Sequence, residues 1–213
     1  MRWTHLTRGM LLIASVWGTI ALSSVPAAAP ASHVSYGLVI DNSPAVRSQL
    51  EAIIGMGKAL LEANRPGDEA FVVRFANQEN LSICQDLTAD TPALIDCVDN
   101  LFLERGPPAT IDALYLSVGY VGQHIATRAG HARALILMTG GDVGDSYYTL
   151  ADLRAQLRGQ QLPIYVVVFS GTEAKDLSLF DSLAESHGRV FKPRSQTESE
   201  SAVRELLAAM RGQ

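Results

Sequence analysis

Cysteine is scarce in this chain: Cys84 and Cys97 are the only two in 213 residues, and they form no Cys-x-x-Cys pair. Five histidines show no metal-ligand spacing either, so neither a zinc module nor a dithiol redox motif is indicated. Basic residues are also short. Seventeen Lys and Arg stand against 22 Asp and Glu, for a net charge of −5. An acidic chain is poorly suited to nucleic acid or to anionic membrane surfaces, both of which call for a basic patch. Long apolar runs are missing after Val25, so nothing beyond that point is built to cross a bilayer. There is no internal repeat, no linker, and no low-complexity tract outside the first 31 residues.

Familiar catalytic signatures are absent as well. Gly140-Gly141, followed by Asp142, Gly144 and Asp145, hints at a phosphate or calcium loop. It lacks both the Walker Lys-Ser/Thr and EF-hand spacing, and reads more plainly as a flexible loop. No Gly-x-Ser-x-Gly elbow surrounds Ser43. His124, His131 and His187 fall on helices or turns and read as surface or structural residues.

Residues 1–31 are a different kind of sequence. Arg2 and Arg8 precede an apolar run from Met10 to Val25, then a small, Ala-rich stretch from Pro26 to Ala31. That is the layout of a secretory signal peptide. Cleavage after Ala31 uses Ala29 and Ala31 as the small pair, and Val25 with Ala27 is another option. An uncleaved membrane anchor is the alternative, for which the run is short. No Cys follows the run to carry a lipid. Removal leaves residues 32–213 with 15 basic against 22 acidic residues, a charge of −7. The expected location is outside the cytoplasm, periplasmic or extracellular, with no membrane insertion after cleavage. In an exported chain Cys84 and Cys97 read as one structural disulfide joining a strand to the following helix. Two buried free thiols remain the other reading.

What is present centres on Tyr36-Gly37-Leu38-Val39-Ile40-Asp41-Asn42-Ser43-Pro44-Ala45. The run is too apolar to alternate and too short for a helix, so it reads as a strand buried on both faces. Pro44 cannot extend it but suits the first turn of a helix. Asp41 and Ser43 are therefore expected in a loop at the carboxyl end of a central parallel strand, where open α/β sheets bind ligands.

The rest alternates. Strands are expected at 34–41, 69–75, 81–87, 133–139, 164–169 and 189–191. Helices are expected at 45–64, 91–103 (capped by Thr91), 109–128, 150–159, 176–186 and 197–210. The third strand should return on the second as a hairpin. This predicts one α/β domain: a doubly wound, mostly parallel six-stranded sheet with one antiparallel edge strand and helices on both faces.

Several stretches in this order, GLVIDNS, GDEAFVVRF, ATIDALYLS, ALILMTGGD, LPIYVVVFSG and LAESHGRVF, resemble the von Willebrand factor type A domain across about residues 34–195. In that family three loops build a metal-ion-dependent adhesion site. They supply Asp-x-Ser-x-Ser, a Thr, and the Asp of Thr-Asp-Gly. Mg²⁺ asks for six oxygens in near-octahedral geometry. The resemblance maps Asp41 and Ser43 onto the first loop, but Ala45 replaces its second Ser. Pro108 falls at the Thr position unless a two-residue shift brings in Thr110. Thr139-Gly140-Gly141 lacks the acid, and Asp142 follows two residues later.

The resemblance thus implies a non-enzymatic adhesion or scaffold module with a degenerate metal site and no cofactor. A protein partner is expected on loops 41–46, 104–110 and 140–148, with Asp41, Ser43, Thr110, Asp142, Tyr147 and Tyr148 as contacts. Adjacent aromatics on a rim loop suit an interface anchor. The alternative is a divalent-metal-dependent adhesion module in which Asp41, Ser43 and Thr110 hold Mg²⁺.

Overall fold

In the computed structural model, which describes residues 33–169, 177–185 and 188–212, the expected first strand is β1 (His33–Asp41), buried at every position from Val34 on. Its pleat divides the core. Val34, Tyr36, Leu38 and Ile40 enter one apolar cluster, and Val39 enters the other. The remaining strands are β2 (Glu69–Phe75), β3 (Leu81–Thr88), β4 (His131–Thr139), β5 (Ile164–Val168) and β6 (Arg189–Phe191). They form one sheet in the order β3-β2-β1-β4-β5-β6. All neighbours are parallel except β2 and β3, the expected hairpin.

Helices α1 (Leu50–Glu62), α2 (Thr91–Asp99) and α6 (Gln196–Met210) cover one face through Ile53, Leu60, Leu94, Val98 and Leu206. Helices α3 (Thr110–His124), α4 (Leu150–Leu157) and α5 (Ser178–Ala184) cover the other through Leu114, Val118, Leu153 and Phe180. Right-handed crossovers between parallel strands require such two-sided cover. The expected doubly wound α/β architecture is the observed one.

Several helix boundaries depart from the sequence pattern, among them the end of α3, at His124 rather than residue 128. Residues 44–46 form a separate 3-10 turn capped by Ser43, and α1 begins only at Leu50. Val46 faces the core as its spacing indicates, but from that turn. Helix α2 stops at Asp99 rather than running to residue 103. The side chain of Asn100 donates to the Asp96 carbonyl at 2.8 Å, a local bond that competes with helix continuation. Its N-cap is Asp90, whose carboxylate accepts from the Ala93 amide, in place of the expected Thr91. Residues 1–31, His187, and the ends of the helix expected over 176–186 lie outside the described residues.

The cysteine alternatives are resolved: Cys84 on β3 and Cys97 on α2 are bonded, with Cα atoms 6.1 Å apart. A loop of this length constrains the unfolded chain by about 3 kcal/mol in the entropic account. At the opposite edge from the loops, Asp68 is buried just before β2. It accepts from the amides of Val34 and Arg65 and from the Arg211 guanidinium at 2.6 Å. This pair anchors the end of α6 beside the start of β1.

Candidate functional site

The carboxyl ends of β1, β2 and β4 lead into one loop edge, and the first loop is organised by Asp41. Its side chain is fully buried. One carboxylate oxygen accepts from the Ser43 amide at 2.9 Å. The other accepts from the Thr139 hydroxyl at 3.1 Å and the Gly140 amide at 3.5 Å. Burial pushes this carboxyl above the ordinary carboxylate range, against the opposing pull of hydrogen bonds from Ser43, Thr139 and Gly140. Ser43 is equally buried, and its hydroxyl accepts from the Ala45 amide at 3.3 Å. Asp41 and Ser43 are therefore brought together, as expected, but as the internal staple of a β1-to-turn corner.

Asn42 joins this loop to the second one. Its side chain donates to the Phe102 carbonyl at 2.8 Å, and its own carbonyl accepts from the Glu104 amide at 3.0 Å. Asn77 does the same from the hairpin turn, donating to the Arg105 carbonyl.

The second and third loops are laced together at the start of α3. The Thr110 hydroxyl donates to the Asp142 carbonyl at 3.0 Å, and the Thr110 amide to the Val143 carbonyl at 3.3 Å. Gly144 has φ +59°, and a Cβ there would sit 1.9 Å from the Pro108 carbonyl oxygen, so only glycine permits this contact. Next along α3, buried Asp112 accepts from the amides of Tyr147 and Tyr148, one on each oxygen, both at 2.9 Å. Sequence reasoning passed over Asp112. Its only signal is an acid in the first turn of a helix, where the dipole favours negative charge. Thr139 stood in the sequence as the strand end that opens Thr139-Gly140-Gly141, with no sign of its hydrogen bond to Asp41.

The loops leave three large apolar side chains in solvent: Phe102 at 55%, Tyr147 at 75% and Tyr148 at 45% exposure. They are all the large exposed hydrophobics among the described residues; Tyr147 and Tyr148 stand on the third loop, and Phe102 follows α2. Tyr148 stacks on Tyr115 of α3, with ring centroids 3.7 Å apart and planes 11° off parallel. Arg74 of β2 lies over the Phe102 ring at 5.8 Å.

These residues do not fit a Mg²⁺ shell. Ala45 and Gly140 carry no side-chain ligand, and both Asp41 oxygens already accept hydrogen bonds from within the protein. The space for a restored acid is tight too. A Cβ on Gly140 would lie 3.0 Å from the Ala45 carbonyl oxygen and 3.1 Å from Val46. Among the described residues, no three His, Cys, Asp or Glu side chains are grouped to hold an ion.

One Ser–His contact exists elsewhere. The Ser35 hydroxyl meets His131 Nδ1 at 2.8 Å at the far edge of the sheet, and also donates to Glu69 at 3.2 Å. Ser35 is wholly buried, and the acid bonds the serine rather than the imidazole, so this is not a nucleophile–base–acid relay. His124 stacks on Tyr120, in keeping with a structural role.

No family model and no curated protein matches the sequence. Solved structures do match in shape. The conserved hypothetical protein BatB from Bacteroides thetaiotaomicron superimposes with a TM-score of 0.65 at 13% identity, covering 83% of this chain and 98% of that one. An aerotolerance-related membrane protein from Bacteroides fragilis gives 0.66 at 13% identity, covering 84% and 100%. A von Willebrand factor type A protein from Catenulispora acidiphila gives 0.66 at 20% identity, covering 84% of this chain and 43% of that one. The chain has the von Willebrand factor type A fold, with an incomplete set of metal-site residues.

Proposed function

We propose that this chain is an exported, non-enzymatic binding module that takes a protein partner on the edge formed by residues 41–46, 104–110 and 140–148. Binding would use shape and hydrogen bonding, without a divalent ion. The observation that carries the reading is the exposed pair Tyr147 and Tyr148 on the third loop of that edge. Exposed aromatics clustered on a rigid support are the usual anchors of protein interfaces. The Asp112 clamp and the Pro108–Gly144 contact supply that rigidity, which limits the ordering cost of association. The Cys84–Cys97 bond favours an oxidising compartment, in line with the leader. Fold alone does not define function, so the reading rests on the edge itself.

The test is capture from an envelope extract by the immobilised protein, compared with Tyr147→Ala and Tyr147→Ala/Tyr148→Ala. Two aromatic anchors at about 2 kcal/mol each predict a loss of retention well beyond tenfold in the double variant. Tyr147→Ala should leave the unfolding midpoint in place, because that ring is mostly in solvent. Unchanged capture by the folded double variant would refute this contact surface.

A further inference from the structure

We infer that the edge strand β3 takes up an extended segment of the partner as an added antiparallel strand. Strand β3 ends the sheet and has β2 as its one strand neighbour. Every second backbone N–H and C=O along such a strand points away from the sheet. The hairpin settles which ones. The Ala76 amide donates to the Asn80 carbonyl at 2.9 Å, so Ala76 and Asn80 face each other as a hydrogen-bonded pair. Alternation from there makes Arg74–Ser82 a bonded pair, and Phe75–Leu81 and Val73–Ile83 non-bonded ones. The amides and carbonyls of Leu81 and Ile83 therefore face outward.

This stretch of edge is unguarded. Leu81-Ser82-Ile83-Cys84-Gln85 carries no charge and no proline, the usual protection of a free edge. Further on the edge is closed. The ladder bulges between Ile83 and Gln85, and the Tyr120 hydroxyl accepts from the Leu87 amide at 3.0 Å. The side chains beside the open stretch suit the same occupant. Leu81 and Ile83 lie half-buried on the α3 side of the sheet, and with Leu116 they line a groove of about 550 Å³. An added strand sets its own i and i+2 side chains about 6.8 Å apart, at the pitch of Leu81 and Ile83. A segment with apolar residues at alternate positions thus meets both the backbone groups and the groove, whereas a helix keeps its backbone groups to itself. The groove also reaches Tyr147 and Tyr148, so a segment lying in it continues the partner contact. A second copy paired antiparallel through its own β3 would set the two tyrosine pairs at opposite ends of the joint and leave both uncovered.

The inference rests on the loop-edge reading for its partner and is tested apart from it. The probe is the peptide acetyl-KTVTVTVK-amide, whose valines would stand opposite Leu81 and Ile83 with their N–H groups toward β3. The control is the same peptide N-methylated at each valine, which keeps the side chains and removes those donors. Amide hydrogen exchange of the ¹⁵N-labelled protein is the readout. In the free protein the Leu81 and Ile83 amides should exchange fast and Ser82 slowly. Saturating peptide should slow Leu81 and Ile83 by about tenfold or more, and the methylated peptide should not. Leu81→Pro removes an outward donor and no ladder bond, so it should abolish the effect. Leu116→Gln, a half-buried change on α3 that leaves β3 untouched, should weaken peptide binding several-fold even if Leu81→Pro does not fold. No slowing, equal slowing by both peptides, or unchanged binding in Leu116→Gln would overturn the inference. So would protection of Leu81 and Ile83 that rises with protein concentration alone, which would put a second copy on the edge. Envelope capture that depends on Tyr147 and Tyr148, alongside no response to the peptide, would sink the added strand and leave the loop edge standing.

Discussion

Replacing Arg211 with Met should lower the unfolding midpoint by roughly 10 °C. The guanidinium touches Asp68 at 2.6 Å, with both side chains almost wholly buried. Losing one partner of a buried pair leaves an uncompensated charge, at about 3–5 kcal/mol. For a domain of this size each kcal/mol moves the midpoint by about 2–4 °C. Asp68→Ala should cost at least as much, since it also orphans the amides of Val34 and Arg65. The pH dependence has a definite sign. Against the desolvation that burial imposes, hydrogen bonds from Arg65, Arg211 and Val34 hold the Asp68 carboxyl below its ordinary value. A depressed folded-state value means the contribution is complete above the unfolded carboxylate range, near 3.9, and is lost as pH falls through the folded value. In Arg211→Met this acid-side loss should shrink at its low end and begin at higher pH. Thermal unfolding of both variants from pH 2 to 7 tests this. A shift under 2 °C at pH 7 would show that the pair contributes little. The pair matters to function because it fixes α6 at the edge opposite the loops, so the described end of the chain does not obstruct them.

The second large effect is expected at Asp112. Its carboxylate takes two backbone amides, and hydrogen bonds to a charged group contribute about 1.5–3 kcal/mol each. Asp112→Ala removes both and leaves the Tyr147 and Tyr148 amides unpaired beside a buried void. Stability should fall by about 3 kcal/mol or more, and partner capture should fall with it, because the tyrosines lose their support. Asp112→Asn keeps one acceptor oxygen and should show roughly half the loss. Amide hydrogen exchange reads the mechanism directly. Protection at Tyr147 and Tyr148 should collapse in Asp112→Ala while the β1 amides stay protected. Unchanged protection at the two tyrosines would mean that the loop holds itself and that the clamp is incidental.

Much of the scaffold was legible because it rests on local patterns. The runs around Leu38, Val72, Ile136 and Val166 are too apolar to be anything but strands buried on two faces, and they form β1, β2, β4 and β5. The placement of Asp41 and Ser43 at the carboxyl end of a central strand followed from that, as did the hairpin. The roles of those two residues did not follow. Whether a carboxylate faces an ion or its own loop depends on which donors arrive from elsewhere in the chain. Thr139 stands 98 residues from Asp41. The same limit hid the Asp112 clamp, whose donors lie 35 and 36 residues away, and the Asp68–Arg211 pair, 143 apart. The Ala45 turn illustrates it most sharply. Sequence shows that a ligand is missing at Gly140, whereas the structure shows the Ala45 carbonyl standing close against that position. The Cys84–Cys97 bond belongs to the same class, because spacing alone left thiols and disulfide equally open.

The central claim is that the loop edge acts without a divalent ion, and thermal unfolding in EDTA, Mg²⁺, Mn²⁺ or Ca²⁺ tests it most directly. An ion present at 100 times its Kd adds about 2.7 kcal/mol to the folded state. That is a rise of about 5–11 °C for a domain of this size. The account predicts one midpoint in all four conditions, because Ala45 and Gly140 supply no side-chain ligand and both Asp41 oxygens already accept hydrogen bonds within the protein. A rise of several degrees with any one ion, abolished by Asp41→Ala, would contradict it.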